Sequence, residues 1–221
     1  MQKDIELIIF DWDGTLIDSQ ANIVQCFKYV IDDLDLPDRS SEEISNIIGL
    51  GMWEALRELF PQNNTEEYQQ MVDRYRYHFF ASDPSQPFSG AGTVLSSLAE
   101  DGYILAVATG KGRRGLDKAL DSTGFRQYFH ATRCADETRS KPHPQMLEEL
   151  LDETGMNGEQ AIMIGDTEYD LEMAKNAGIP SIGVSYGVHE ADRLLKHEPI
   201  SVLNEIGALL NWLNGEKIAN L

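Results

Sequence analysis

A short apolar run that ends in two carboxylates constrains the fold more than any other stretch of this sequence. Residues 7–10 are all apolar, Asp11 and Asp13 follow at once, and Gly14 and Thr15 come next. A continuous apolar run bounded by turn residues is typical of a strand covered on both faces, as in the middle of an α/β sheet. Open α/β sheets bind their ligands at the carboxyl ends of the strands. The pattern therefore predicts a central strand with a functional site at its end.

The two carboxylates themselves predict a bound cation or a shared proton. Asp11 and Asp13 are two residues apart, so on an extended chain their side chains point to the same side. Two acids this close repel each other unless a positive charge or a proton lies between them. A surface turn that happens to contain two Asp residues is the alternative, but it fits poorly after four apolar residues.

From residue 91 onward the sequence alternates between helical and strand-like segments. Helices are predicted over residues 91–101, 113–123, 144–154 and 170–177, and strands over 103–108, 128–132, 161–164 and 181–184. Repeated strand–helix units favour a parallel sheet, because parallel strands need long crossover connections. We therefore predict an α/β fold, a parallel sheet with helices on both faces, closed by a last amphipathic helix at about 203–213.

The segment between residues 18 and 83 has helical periodicity throughout. Ser40 and Glu43 form a capping-box pattern, and Asn64 with Glu67 three residues later marks another helix start. The sequence therefore predicts an all-helical lobe of residues 18–83, inserted into a core made of residues 1–17 and 84–221.

Several later strands also end in residues suited to binding phosphate and metal. Thr109 and Gly110 follow one strand and offer a hydroxyl and an open backbone N–H. Lys141 precedes a helix, where its ammonium can neutralise an anion. Asp166 lies at the tip of another strand and Asp170 begins the next helix. Clustered carboxylates with room for carbonyl and water ligands suit Mg²⁺.

Composition narrows the range of partners. The formal net charge is −19, which argues against binding to nucleic acid or to an anionic membrane. Residues 111–141 depart from this average: eight of the 18 basic residues lie there with only four acids, a local charge of +4. A basic segment in an acidic protein can serve a small anionic ligand. No apolar run approaches the roughly 20 residues that span a bilayer, and the two cysteines lack metal-site spacing.

Four short motifs follow one another at predicted strand ends and loops. They are Asp11-Trp-Asp-Gly-Thr15, Thr109-Gly110, Lys141-Pro142, and Gly165-Asp166 followed by Asp170. With this set in this order, the sequence resembles the haloacid dehalogenase-like phosphohydrolase superfamily, and in length its phosphoglycolate-phosphatase-like members. The resemblance covers essentially the whole chain. It implies a Rossmann-like core and a small helical cap, which would be residues 18–83.

The resemblance also implies a mechanism. Asp11 would be the nucleophile and would form an aspartyl-phosphate, which splits one difficult displacement into two. Asp13 would protonate the leaving alkoxide and then take a proton from the attacking water. The phosphoryl oxygens would be held by Thr109, the Gly110 N–H and Lys141.

The metal site implied by the resemblance uses the acidic residues of the first and last motifs. Mg²⁺ would be bound by Asp11, by the backbone carbonyl of Asp13 and by Asp166. Asp170 would complete the acidic cluster, either through a metal-bound water or by orienting Lys141.

Two features depart from the family pattern. Trp12 replaces a smaller apolar residue, and we expect its side chain to pack into the core. Residues 110–115 match G-x-G-x-x-G after a strand, with Asp136 about 21 residues further on, which read alone would indicate a dinucleotide site. That alternative leaves the acidic residues and the lysine of the four motifs without a role. We predict instead that Lys111, Arg113 or both help to bind an anionic substrate.

The leading hypothesis is a Mg²⁺-dependent phosphatase of a small phosphorylated metabolite, either phosphoglycolate-like or a sugar phosphate. A sugar phosphomutase shares the motifs and the cap, although Thr15 favours the phosphatase. A signalling receiver domain also carries a phosphorylated Asp, but it lacks a helical insert and a carboxylate two residues after the nucleophile. A binding protein without turnover is a further alternative.

Some expectations concern partners and specificity. We expect a cytoplasmic monomer or weak dimer that binds a small phosphorylated metabolite and neither nucleic acid nor membrane. The cap would set the choice of substrate, and the loop at residues 49–51 resembles the family's substrate-facing cap loop. Candidate specificity residues in the cap are Leu50, Trp53, Tyr75 and Tyr77.

Overall fold

The computed structural model of the chain describes residues 5–82 and 85–215, and its centre is a six-stranded parallel sheet. The strands are β1 (Leu7–Phe10), β4 (Ile104–Thr109), β5 (Ala131–Cys134), β6 (Ala161–Gly165), β7 (Ser181–Val184) and β8 (Ser201–Leu203). Their order across the sheet is β5-β4-β1-β6-β7-β8. Every neighbouring pair is parallel.

The first strand lies in the interior of this sheet, as its apolar sequence predicts. All four residues of β1 are buried, and β4 and β6 pair with it on either side. The chain therefore runs outward in opposite directions from β1, first to β4 and β5 and later to β6, β7 and β8. Such a reversal of strand order opens a crevice at the carboxyl ends of the central strands.

Helices cover both faces of the sheet. They are α5 (Ala91–Glu100), α6 (Arg113–Thr123), α7 (Gln145–Thr154), α8 (Glu168–Ala177), α9 (Ala191–Leu194) and α10 (Ala208–Leu213). Apolar residues of α5, α6 and α10 pack in one cluster against the sheet. Those of α7 and α8 pack in a separate cluster on the opposite face. The predicted α/β fold is confirmed.

Four helices between β1 and β4 form a third hydrophobic cluster, and we call them the cap. They are α1 (Gln20–Asp33), α2 (Ser41–Asn46), α3 (Met52–Leu59) and α4 (Thr65–Ala81). Both predicted capping boxes are present: Ser40 caps α2 together with Glu43, and Asn64 caps α4 together with Glu67. The predicted domain boundary at residues 83 and 84 lies outside the described residues.

A two-stranded antiparallel ribbon lies where the chain passes between the core and the cap. Its strands are β2 (Ile17–Asp18) and β3 (Gln86–Pro87), so the outgoing and returning segments are held side by side. The sequence predicts helical structure from Ile17 onward, which is wrong by three residues because this pairing holds the chain extended until α1 begins.

Two further sequence predictions differ from the structure. The strand predicted at 128–132 is β5 at Ala131–Cys134, because Phe125–Tyr128 form a 3₁₀ turn instead. The helix predicted at about 203–213 is shorter in the structure: Leu203 ends β8, and α10 begins only at Ala208. Among residues 5–82 and 85–215, no helix is long and apolar enough to cross a membrane.

Candidate active site

The centre of the crevice is a buried lysine between two buried carboxylates. Lys141 Nζ lies 2.7 Å from Asp11 Oδ1 and 2.6 Å from Asp170 Oδ1, and all three side chains have 0 or 1% exposure. Asp11 ends β1, Asp170 lies in the first turn of α8, and Lys141 precedes α7. Although burial disfavours an ammonium, the two carboxylates hold the pKa of Lys141 above its usual value. Lys141 therefore stays charged at the base of the site.

The carboxylate of Asp11 is buried without a hydrogen-bond donor. Neither Oδ1 nor Oδ2 has a hydrogen-bond partner among the described residues, and because the ion pair with Lys141 Nζ is made by Oδ1, Oδ2 is left unpaired. Burial raises the pKa of Asp11 to about 7; Lys141 opposes this, and the charges of Asp170 and Asp13 add to it. A buried carboxylate oxygen without a donor is costly, so the fold keeps this atom in place for a ligand.

Asp166 lies at the tip of β6 and is held by groups from two other segments. Thr15 Oγ1 donates to its Oδ1 at 2.8 Å, and the Val188 N–H donates to its Oδ2 at 2.8 Å. Gly14 has φ +85°, and a Cβ at this position would overlap the Asp166 carboxylate. The Gly-Thr turn after Asp13 is therefore needed both for its backbone conformation and for its close approach to Asp166.

The acidic side chains fit a divalent cation. Asp11, Asp166 and Asp170 each offer a carboxylate oxygen, and these atoms all lie within 4.8 Å of one another. Burial, together with the charges of Asp11 and Asp170, raises the pKa of Asp166 well above its usual value. Carboxylates whose pKa is raised by burial and by neighbouring negative charge are not neutralised by the positive charge around them. Oxygen atoms are also the ligands that Mg²⁺ prefers. The unpaired Asp11 Oδ2 is a further feature that a bound cation would satisfy.

Asp13 lies outside that three-carboxylate group and is bound differently. Ser19 Oγ donates to its Oδ1 at 2.7 Å, and Lys111 Nζ lies 2.9 Å from its Oδ2. Both ionic side chains are nearly buried, at 11% exposure for Asp13 and 9% for Lys111. The Lys111 ammonium also lies 4.5 Å from the ring centroid of Phe79 in α4. The side chain of Asp13, predicted as a metal residue, therefore faces a serine and a lysine rather than the other carboxylates.

Thr109 and Gly110 complete the floor where β4 ends. Thr109 is buried, and its Oγ1 accepts a hydrogen bond from the Lys111 N–H at 3.1 Å. A Cβ at Gly110 would lie 2.5 Å from both the Gly49 and the Leu50 carbonyl oxygens. Only glycine allows the cap loop to approach the floor this closely.

Hydrogen bonds hold the cap loop at residues 49–51 and the end of α2 against the core. Ser140 Oγ accepts from the Gly51 N–H at 2.7 Å, and Tyr169 Oη donates to the Asn46 carbonyl at 2.9 Å. Arg193 Nη1 donates to the Asn46 side-chain oxygen at 2.7 Å. The cap is therefore closed over the carboxylates in this structure.

A cavity of about 350 Å³ lies between cap and core, with Asp11 and Asp13 in its floor. Thr109, Gly110 and Lys111 also line it. Three of the four predicted specificity candidates, Leu50, Trp53 and Tyr75, are in its wall. Tyr77, the fourth, is 63% exposed and is not among the lining residues.

The residues that depart from the family pattern have separate structural roles. Trp12 is fully buried, with edge-on contacts to Phe125 and Phe129, as predicted for a core residue. Arg113 pairs with Glu137 at 2.7 Å and donates to Thr132. The structure therefore separates the two predicted substrate cations: Lys111 lines the cavity, and Arg113 does not.

Sequence reasoning missed several supporting residues. The Ser19 hydroxyl donates to Asp13, and the Ser140 hydroxyl accepts from Gly51 in the cap loop. Neither serine is part of the four motifs, so the sequence does not mark these contacts. The Val188 N–H, which holds Asp166, leaves no trace in the sequence because any residue supplies it.

Comparison with known proteins gives consistent matches along the chain. The sequence profile of the haloacid dehalogenase-like hydrolase family matches residues 8–184. A protein named probable phosphatase IndB, from Dickeya dadantii, is 34% identical over 199 residues, which cover 87% of this chain and 86% of that protein. A phosphoglycolate phosphatase from Agrobacterium fabrum is 30% identical over 210 residues, covering 92% and 90% of the two chains.

Solved structures share the architecture at lower identity. A haloacid dehalogenase-like family hydrolase from Streptococcus pneumoniae superposes with a TM-score of 0.83 at 24% identity, covering 95% of this chain and 99% of that one. A protein provisionally named a beta-phosphoglucomutase, from Bacteroides vulgatus, has a TM-score of 0.84 at 22% identity, covering 96% and 90%. At these identities the likeness concerns the fold alone.

Proposed function

We propose that this chain, which belongs to the haloacid dehalogenase-like hydrolase family, is a phosphatase that hydrolyses a small phosphorylated metabolite through an aspartyl-phosphate on Asp11. The observation that carries this proposal is the buried carboxylate of Asp11, without a hydrogen-bond partner and beside a charged lysine, in the floor of the cavity between cap and core. The direct test is phosphate release from a generic aryl phosphate with Mg²⁺ and with EDTA. Metal-dependent release supports the proposal, and no release in either condition contradicts it.

In the first half of the reaction, Asp11 acts as the nucleophile. Its carboxylate attacks phosphorus through one oxygen, and the bond between phosphorus and the leaving oxygen breaks. Lys141 holds Oδ1, which fixes the orientation of the carboxylate. The Thr109 hydroxyl and the Gly110 N–H donate hydrogen bonds to the phosphoryl oxygens. Asp13, which carries a proton in place of its ion pair with Lys111 once the substrate phosphate binds that lysine, gives this proton to the leaving oxygen. The closed cap keeps bulk water away from this step.

In the second half, Asp13 acts as the base. It takes a proton from a water molecule, which attacks phosphorus and breaks its bond to Asp11. The products are inorganic phosphate and the restored carboxylate. Ser19 holds the other oxygen of Asp13, so that its position is the same in both halves.

Mg²⁺ would be held by Asp11 and Asp166, with the backbone carbonyl of Asp13 as a further ligand. When bound, it would offset the repulsion between the carboxylate nucleophile and the phosphate dianion. Asp170 already binds Lys141 through Oδ1 and the Thr167 N–H and hydroxyl through Oδ2. We therefore assign Asp170 to the positioning of Lys141 rather than to direct metal binding.

We expect Mg²⁺ to stabilise the folded protein in the absence of substrate. A ligand that binds only the native state at 100 times its Kd adds about 2.7 kcal/mol to the free energy of unfolding. The measurement is thermal unfolding in EDTA and in millimolar Mg²⁺, for the wild type and for Asp166→Asn. The wild type should show a higher Tm with Mg²⁺ and the variant a much smaller increase. Equal shifts in both proteins would contradict the assigned ligands.

Lys111 is proposed to bind the phosphoryl dianion when it enters. In the free protein its ammonium pairs with Asp13 at the cavity floor, and a phosphate would compete for it. Charge-assisted hydrogen bonds contribute roughly 1.5–3 kcal/mol, so Lys111→Met should raise KM roughly tenfold or more. Arg113→Gln is the matched control, because this arginine pairs with Glu137 instead. If Lys111→Met leaves KM unchanged, or if both variants raise it equally, the assignment is wrong.

The mutase and receiver alternatives predict different fates for the phosphoryl group. A mutase transfers it between positions of a sugar, so it should release little phosphate from a simple ester. A receiver should keep its acyl phosphate far longer than one catalytic cycle. Rapid-quench measurement of phosphorylated protein beside phosphate release distinguishes both from a phosphatase.

Two broader assignments accompany this function. We propose that residues 18–83 act as a cap domain on a core of residues 1–17 and 84–221. We also propose a cytoplasmic location, since Cys26 and Cys134 are both free thiols. The expected monomer or weak dimer stays a prediction.

A further inference from the structure

One wall of the cavity above the catalytic floor is a continuous row of aromatic rings. Phe27 and Tyr75 have centroids 4.9 Å apart, Tyr75 and Phe79 stack at 6.0 Å with an angle of 12°, and Phe79 meets Phe80 edge-on at 5.7 Å. All four residues line the cavity. They come from α1 and α4, so this wall belongs to the cap.

The rest of the lining above the floor is also mostly apolar. It is made of Ile23, Ile47, Ile48, Leu50, Met52, Trp53, Ala55 and Val72. Charged lining residues other than those at the floor are two arginines and two acids, Arg76, Arg114, Glu54 and Asp136, which balance in sign. The cavity therefore offers fixed charge to the phosphoryl end of a ligand and apolar surface to the remainder.

Tyr75 adds a polar atom to this apolar wall. Burial, with smaller contributions from Cys26 and Asp13, raises the pKa of Tyr75 well above its usual value, so the hydroxyl stays protonated. Flat groups that are apolar on their faces and polar at one edge suit such a wall.

The size of the cavity points in the same direction. Pockets of about 300–1,000 Å³ hold ligands of drug size, and this one has about 350 Å³. A leaving group with only two or three carbons would leave water against the aromatic rings. A flat ring would instead cover them and remove apolar surface from water, at about 25 cal/mol per Å².

From the aromatic wall, the apolar lining and the volume, we propose that the substrate is a phosphate monoester whose leaving group carries an aromatic or heteroaromatic ring. The ring lies against Tyr75, beside Phe79 and Phe80, over whose faces Lys111 and Arg114 lie, while the phosphoryl group meets Asp11. This inference rests on the proposed function and refines it. It disfavours a small hydroxy acid, or a sugar without an aromatic ring, as the leaving group.

The test compares esters that differ in the ring but not in the reacting bond. Ethyl phosphate and 2-phenylethyl phosphate both release a primary alkoxide, so their intrinsic reactivities are similar, and phosphoglycolate provides the small acidic leaving group. With Mg²⁺, kcat/KM for 2-phenylethyl phosphate should exceed that of either other ester by at least about tenfold. Equal values, or a preference for phosphoglycolate, would overturn the inference.

A matched pair of variants tests the wall directly. Tyr75→Phe keeps the ring, and Tyr75→Leu keeps apolar bulk without it. The ratio of kcat/KM for the phenylethyl and ethyl esters should be retained in Tyr75→Phe and fall about three- to tenfold in Tyr75→Leu. Because the ratio is taken within one variant, a general loss of activity or of folded protein cancels. An unchanged ratio in Tyr75→Leu contradicts the proposed contact.

Binding separates failure of this inference from failure of the proposed function. Calorimetric titration of Asp11→Asn with the two simple esters makes the same comparison without turnover. Tighter binding of the phenylethyl ester with no hydrolysis by the wild type would support the ring site and contradict the phosphatase. Hydrolysis of ethyl phosphate with equal binding of both esters would support the phosphatase and overturn the ring site.

Discussion

Asp11→Asn is expected to lower phosphate release by at least about 10⁴-fold, because removal of a nucleophile in a covalent mechanism costs this much or more. The amide has nearly the shape of the carboxylate but cannot form the acyl phosphate. Lys141 keeps its contact with Asp170 at 2.6 Å, so the floor retains one of its ion pairs in the variant. The measurement is phosphate release under saturating Mg²⁺, together with a thermal unfolding curve that shows the variant is folded.

A surface variant is the control for the lost charge. Asp32 is exposed in α1, and Asp32→Asn removes the same charge far from the floor. We expect its turnover to stay within about twofold of the wild type. If Asp11→Asn keeps a substantial rate while the acyl phosphate is absent from quenched wild-type protein, water attacks phosphorus directly and the covalent mechanism is wrong.

Lys141→Met is the second variant with a large expected effect, and it changes both activity and stability. The methionine has similar length but no charge to offer Asp11, Asp170 or the phosphoryl group. Loss of one preorganised electrostatic contact typically lowers kcat by about 10²–10³-fold. Removing one partner of a buried ion pair destabilises by roughly 3–5 kcal/mol, because the other charge is left buried and unpaired. We expect this loss of stability to be largest in EDTA and to be partly recovered in Mg²⁺.

The matching control for this lysine keeps its charge. Lys141→Arg retains a cation but replaces a compact ammonium with a planar guanidinium, so it should preserve more stability than activity. Urea unfolding of the three proteins, with and without Mg²⁺, provides the comparison. Equal stability of the wild type and Lys141→Met in EDTA would mean that the carboxylates are protonated there and that Lys141 does not compensate them.

The sequence predicts those parts of the fold that local patterns determine. Residues 7–10 form the expected buried strand because an unbroken apolar run has few other stable places in an α/β protein. The helices capped by Ser40 and Asn64 begin where their capping boxes indicate. By contrast, β8 has three residues and β2 and β3 have two each, too few for any periodicity to appear. These strands exist only because a partner strand lies beside them.

The same distinction holds in the site. Asp11 and Asp166 follow two neighbouring strands at the carboxyl end of the sheet, and Asp170 in α8 and Lys141 before α7 lie at the same end, as the order of motifs predicts. The pairing of Asp13 with Lys111 was not predictable, since it depends on how the loop after β4 folds back under α4. Cavity volume and ring geometry depend on packing between cap and core, which no local pattern records.

The ribbon formed by β2 and β3 makes the cap an exchangeable module. Because the two connections between core and cap lie side by side, the segment between them is equivalent to one long surface loop of the core. The entropic cost of closing such a loop grows only slowly with its length, and insertions are best tolerated where the two ends are close together. A descendant of this chain can therefore replace its aromatic wall, lengthen α4 or lose a cap helix while the strand ends that carry the carboxylates stay unchanged. New substrates would then arise by grafting at two adjacent points rather than by rebuilding the catalytic floor.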